Sequence, residues 1–233
     1  MKFNKLILIS FFLLHFSGFS QNFELGIIGG TSYYLGEINP SIQITNKFNP
    51  SLGVFLRKTT NKRYALRAGI SYGKLAATNN RNSIESTQFK NLSFSSDLLE
   101  AYGLLEFNFI PYQIGNSNNS NFTPYVFIGV AVFMVNPKIK SSSSIAIPSQ
   151  GSVIAPSMPF GLGIKFNLIN NLGLSIEWGM RKTLTDQIDG LTETYLEGYQ
   201  LSNSQNNDWY SIVGISLNYK FLTKGQICPG ANN

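Results

Sequence analysis

Glu177 and Arg181, four residues apart on one face of an alternating segment, are the nearest thing in this chain to an acid–base pair. A carboxylate beside a cation could act as a general acid or base. The residues such chemistry usually works with are missing. The only histidine, His15, lies in an N-terminal leader, and the only cysteine is Cys228, close to the C-terminus. Without the leader, Ser-His-Asp and Cys-His catalysis are excluded, as is any zinc site built on histidine and cysteine. Interior ion pairing explains Glu177 and Arg181 with fewer assumptions. No catalytic residue, metal site, cofactor or small-molecule substrate is expected.

Other motifs reduce to backbone punctuation. Tyr33-Tyr34-Leu35-Gly36-Glu37-Ile38-Asn39-Pro40 reads as a strand end followed by turn residues. Gly29-Gly30 fits curvature better than phosphate binding, because no helix follows to complete an anion site. Asn91-Leu92-Ser93 matches a glycosylation acceptor only weakly. Cys228 is the exception. A lone cysteine in an oxidising compartment is an intermolecular disulfide, a free thiol, or an incidental tail residue.

The elements that must position these residues begin after the leader. Lys2 and Lys5 precede an apolar Leu6–Phe16 run, and Gly18-Phe19-Ser20 supplies small residues for cleavage, so residues 1–20 read as a secretory signal peptide. Formal charge is +6 for the whole chain and +4 without Lys2 and Lys5, with no dense basic cluster of the kind nucleic acid requires. Charged residues make up only 13% of the chain, and no later apolar run reaches the length of a membrane helix.

Period-2 alternation instead marks eight segments: Phe23–Leu35, Ser51–Lys58, Tyr64–Lys74, Asp97–Ile110, Pro124–Val135, Met158–Leu168, Leu172–Thr183 and Trp209–Phe221. The last is the clearest. Val213, Ile215, Leu217, Tyr219 and Phe221 share one parity, against Gly214, Ser216, Asn218 and Lys220 on the other. The fifth is apolar on both parities and has no readable orientation. Long connections alternate with shorter ones, the intermediate Pro111–Thr123 fitting least well. These features predict an all-β fold, an eight-stranded antiparallel transmembrane β-barrel with long extracellular loops and short periplasmic turns.

In the oriented segments every ionisable residue is read as falling on the polar face. That inward set is Glu24, Arg57, Arg67, Glu100, Glu106, Lys165, Glu177, Arg181 and Lys220. An eight-stranded barrel is just wide enough for side chains to fill. The expectation is a lumen closed by ion pairs, with Glu24 and Lys220 near each other on the strands that close the barrel. Tyr64, Phe107, Phe109, Phe166, Tyr219 and Phe221 would form a periplasmic girdle, and Tyr33, Tyr34, Tyr72, Trp178 and Trp209 an outer one. Residues 21–222 would form the barrel, and 223–233 a periplasmic tail.

Several of these motifs resemble PorG-like outer-membrane barrels of the type IX secretion system of Bacteroidota. The resemblance lies in Glu24-Leu25-Gly26, Tyr34-Leu35-Gly36-Glu37-Ile38-Asn39-Pro40, Pro124-Tyr125-Val126-Phe127 with Gly129 and Asn136-Pro137, Asn207-Asp208-Trp209-Tyr210, and Cys228-Pro229. Glu37 departs from the aspartate more often found there. The resemblance implies a non-enzymatic outer-membrane component, both termini periplasmic. Its implied partners are outer-membrane lipid, a periplasmic ring lipoprotein and that lipoprotein's ring partner, with Cys228 the candidate for a covalent link. A general small barrel acting in adhesion or envelope integrity is the alternative.

Overall fold

The computed structural model describes residues 23–35, 49–78, 93–115, 120–140, 151–169, 171–185, 188 and 208–221. Eight strands follow one another: β1 (Phe23–Leu35), β2 (Pro50–Thr59), β3 (Tyr64–Thr78), β4 (Ser93–Asn108), β5 (Phe122–Lys140), β6 (Val153–Ile169), β7 (Leu172–Thr183) and β8 (Trp209–Lys220). Each pairs antiparallel with its sequence neighbours, and β8 returns to β1, so the sheet is closed. Closure leaves no edge strand, which is how a β-sheet satisfies its backbone groups in lipid.

Alternation sets the two faces. Val54, Leu56, Leu66, Ile70, Val132, Leu162, Ile176, Ile215 and Leu217 stand exposed on the outer wall. Glu24, Arg57, Arg67, Glu100, Glu106, Lys165, Glu177 and Arg181 are buried inside. This is the inverse of a soluble barrel. The β1–β8 seam closes tightly at Gly30, where a Cβ would stand 1.9 Å from the Val213 carbonyl oxygen.

Strands β3 to β6 run further toward the loop end than the apolar alternation marks. Pairs such as Thr78↔Ser93 and Ser93↔Lys140 extend the ladder, in β4 and β5 through mostly polar sequence. Backbone pairing does not depend on side-chain polarity, so apolar periodicity underestimates these strands. The structure also orients β5, with Tyr125, Phe127, Ala131, Phe133 and Val135 inside and Val126, Ile128, Val130, Val132 and Met134 outside. The β5–β6 ladder lapses between Ile128↔Phe160 and Ala131↔Ser157, where Pro159 has no amide hydrogen to donate.

Two expectations are corrected. Not every ionisable residue in the strands points inward: Lys74, Asp97 and Lys182 lie on the outward parity at the loop end, and Lys58 does so at the opposite end. They stand where the strands leave hydrocarbon, so the charge meets headgroups or water. Tyr34 leaves the outer girdle, because its parity turns it inward, where it is 1% exposed and donates to Asp208 Oδ1 at 2.5 Å. Trp178 is outward but at mid-strand on β7, opposite Leu162 and Val213, rather than in an outer girdle. Tyr64, Phe107 and Phe109 stack in sequence, with ring centroids 5.2 and 5.3 Å apart. At the loop end Trp209 packs edge-on to Phe160 at 6.0 Å.

A buried ion-pair network as the candidate site

Arg57 on β2 and Arg67 on β3 are register partners with both side chains inside. Like charges directly opposite one another on a sheet face repel. Glu106 on β4 resolves the conflict: its Oε2 lies 2.9 Å from Arg57 Nε and its Oε1 lies 2.8 Å from Arg67 Nε. Both contacts are ionic, within salt-bridge distance but outside hydrogen-bond alignment. Lys165 on β6 donates to the same Oε2 at 2.6 Å and to Asn108 Oδ1 at 2.9 Å. One carboxylate therefore serves three cations.

Flanking carboxylates complete the charge balance. Glu24 accepts from Arg57 Nη1 at 2.8 Å and from Thr59 Oγ1 at 3.3 Å. Glu177 accepts from Arg67 Nη1 at 2.7 Å and from the Tyr125 hydroxyl at 2.6 Å. The cations also lie over rings: Phe55 sits 5.0 Å from each guanidinium, and Tyr125 4.3 Å from Lys165 Nζ. Such contacts strengthen when water is excluded.

A second, smaller cluster lies toward the loop end. Arg181 Nε is 3.3 Å from Glu100 Oε2, Arg181 Nη1 donates to the Gly179 carbonyl at 2.8 Å, and the Tyr210 hydroxyl donates to Glu100. Glu177 and Arg181 thus belong to different clusters, and no acid–base pair forms between them. Above this cluster an apolar layer of Tyr34, Leu75, Leu98, Phe133, Val135 and Ile188 crosses the lumen. Asp208 fastens it, taking hydrogen bonds from Tyr34 and from the Ile188 amide at 3.1 Å.

At the other end the connection after β4 folds back beneath the barrel. Tyr112 and Ile114 are buried there, and the turn reverses at Gly115, whose φ is 77°. Lys220 Nζ donates to the Ile114 carbonyl at 2.9 Å. Lys220 and Glu24 are direct register partners, but Lys220 holds this plug while Glu24 holds Arg57. Burial pushes the Tyr112 hydroxyl pKa upward, keeping it neutral. Of the polar residues that complete the network, Thr59, Asn108, Tyr125 and Tyr210 carry no charge to mark them, and Asp208 lies just before the last alternating segment, where parity assigns no face. Cys228, Gly36–Pro40 and Asn91-Leu92 lie outside the described residues.

Among the described residues, ion pairs, aromatic rings and an apolar layer toward each end occupy the lumen. Purified protein in planar bilayers is expected to give negligible conductance, and regular open-channel steps would contradict this arrangement.

A closed eight-stranded sheet with an apolar outer wall and a paired, charged interior defines a transmembrane β-barrel of the outer-membrane type. The chain belongs to the family described as "Domain of unknown function (DUF6089)", which matches residues 3–230. No curated protein sequence matches it. Among solved structures it is similar to Ail, the attachment invasion locus protein of Yersinia pestis, with 12% identity, 86% of this chain and 99% of that chain covered, and a TM-score of 0.48. Neisserial surface protein A is similar at 12% identity, 85% and 97% coverage, and a TM-score of 0.48. A major outer membrane protein of Thermus thermophilus is similar at 11% identity, 85% and 99% coverage, and a TM-score of 0.49.

Proposed function

We propose that this barrel is a non-enzymatic component of the type IX protein secretion system, contacting a periplasmic ring lipoprotein and its ring partner. The observation that carries the reading is the meeting of two motifs behind the PorG-like resemblance. Tyr34↔Tyr210 and Leu35↔Trp209 are register pairs, and the Tyr34 hydroxyl binds Asp208. Motifs far apart in sequence thus form one unit at the loop end of the barrel. Such coupling is what a shared architecture would retain.

In this reading residues 1–20 are removed on export and both termini face the periplasm. The turn Thr59–Arg63, the connection Pro111–Thr123, the turn Ile169–Asn171 and the tail 223–233 then face the ring. An enzymatic role is disfavoured because the sequence has no histidine after His15. Affinity purification of the tagged barrel from envelopes should bring down the ring lipoprotein and its partner. Loss of the barrel should stop secretion of the system's cargo. Intact secretion without it would favour the adhesion or envelope-integrity role instead.

Cys228 gives a sharper expectation. Non-reducing electrophoresis of membranes should show a high-mass species that disappears on reduction and in Cys228→Ser. A pattern identical in the variant would end the covalent-link idea and leave non-covalent contact to be tested by co-purification.

A further inference from the structure

The barrel end at which β1 begins and β8 ends is electrically one-sided among the described residues. Lys58 and Lys220 lie at the ends of β2 and β8, and Lys62 and Arg63 stand exposed in the turn between β2 and β3. Glu24, the register partner of Lys220, is turned inside onto Arg57 and Thr59. The other connections at this end, residues 109–121 and 169–171, contain no charged residue. Strands β8, β1, β2 and β3 are consecutive around the wall, so the cations share one sector. At the opposite rim, by contrast, Lys74 is the register partner of Asp97.

Depth decides what this sector meets. Arg63 and Lys62 are one and two residues past Tyr64, which stacks in the aromatic girdle with Phe107. They stand in the bend that reverses the chain, so a strand rise of about 3.3 Å per residue puts them at most roughly 3–7 Å beyond the girdle, within reach of lipid phosphates. Lys58 projects on the lipid side of the wall, its ammonium 5.9 Å from the Phe23 ring. A long cationic side chain there lays its stem on apolar surface and carries its charge to the headgroups. Arg63 is held in place, Nη1 donating to the Phe109 carbonyl at 2.6 Å. An acidic protein is the competing occupant. Cations on its docking face would project from the barrel end, whereas Lys58 stands on the lipid-facing wall.

We propose that this sector binds the phosphate headgroup of an anionic phospholipid, with Lys58, Lys62 and Arg63 as its cationic contacts. That the lipid belongs to the periplasmic leaflet rests on the orientation proposed above. The binding itself does not, and its test makes no use of the secretion ring, so the two readings fail separately.

The full barrel is reconstituted in phosphatidylcholine nanodiscs doped with phosphatidylglycerol, and retained lipids are counted by native mass spectrometry. The unmodified protein should retain phosphatidylglycerol well above its bulk share. At roughly fivefold per charge, K58Q/K62Q/R63Q should lower that preference on the order of a hundredfold. The charge-preserving swap K58R/K62R/R63K should keep it, and K74Q/K182Q at the far rim should not change it. Equal retention of both lipids by the unmodified protein overturns the proposal, as does an undiminished preference in the neutral triple variant. Absence of a lipid preference together with cross-linking of residue 62 to an acidic protein would overturn it in favour of a protein-docking face.

Discussion

Glu106→Gln is expected to destabilise the folded barrel by about 3–5 kcal/mol, the range for breaking a buried ion pair by removing one partner. The shape of the side chain is retained, but three buried cations lose their common carboxylate. Arg57 keeps Glu24 and Arg67 keeps Glu177, while Lys165 keeps only Asn108 and the Tyr125 ring among its described contacts. The opposed guanidiniums of Arg57 and Arg67 then face each other with no anion between them. A urea titration in detergent or lipid, following the mobility difference between folded and unfolded barrel on cold electrophoresis gels, measures the loss. A companion variant separates charge from packing. Glu106→Gln with Lys165→Met removes one cation together with the carboxylate and should recover a substantial part of the loss. A loss below about 1 kcal/mol for Glu106→Gln, the net worth of an ordinary hydrogen bond, would mean that Glu106 is not the hub.

The second large effect lies on the outer wall. Val130, at mid-strand on β5, is 73% exposed and stands among Ile128, Val132 and Met158. Val130→Arg is expected to cost about 2–4 kcal/mol in lipid vesicles, the penalty for a cation facing hydrocarbon near the bilayer midplane. In a water-soluble barrel the same exposed substitution would fall within about 0.5 kcal/mol of neutral. Asn136→Arg supplies the control. It lies on the same face of the same strand, opposite Asp97 near the loop end, and should change stability little. Equal effects at the two positions would remove the hydrocarbon band from this wall.

Strands β7 and β8 were legible over residues 172–181 and 213–220, where the inward positions are glycine, serine, asparagine or charged and the outward ones apolar; at their loop ends the pattern breaks, with Lys182 outward and Tyr210 and Ile212 inside. Strand β5 was not, and the reason is specific. Its inward residues Phe127, Phe133 and Val135 fill apolar layers of the lumen, so both parities read alike. The candidate site shows a similar division. Parity assigns a residue to the inside but does not name its partner across the lumen. Arg67 finds Glu177 on β7 because of how the strands are staggered, a relation no local pattern encodes. The Tyr112 and Ile114 plug was illegible for another reason: turn composition marks a reversal but not whether it swings under the mouth. Tyr34 is different. Leu25 and Ile27 put the odd positions of β1 outward, so its inward course was readable from the neighbouring residues.

The opposed pair Arg57 and Arg67 also bears on how the chain reaches the membrane-embedded state. A β2–β3 hairpin alone would carry two facing cations into a low-dielectric environment with nothing to neutralise them, and β4 is the strand that brings Glu106. Stepwise insertion of single hairpins is therefore electrostatically frustrated at this point. The smallest run of strands that holds both arginines together with their shared carboxylate spans β2 to β4, so these three strands balance the facing charges only as a set.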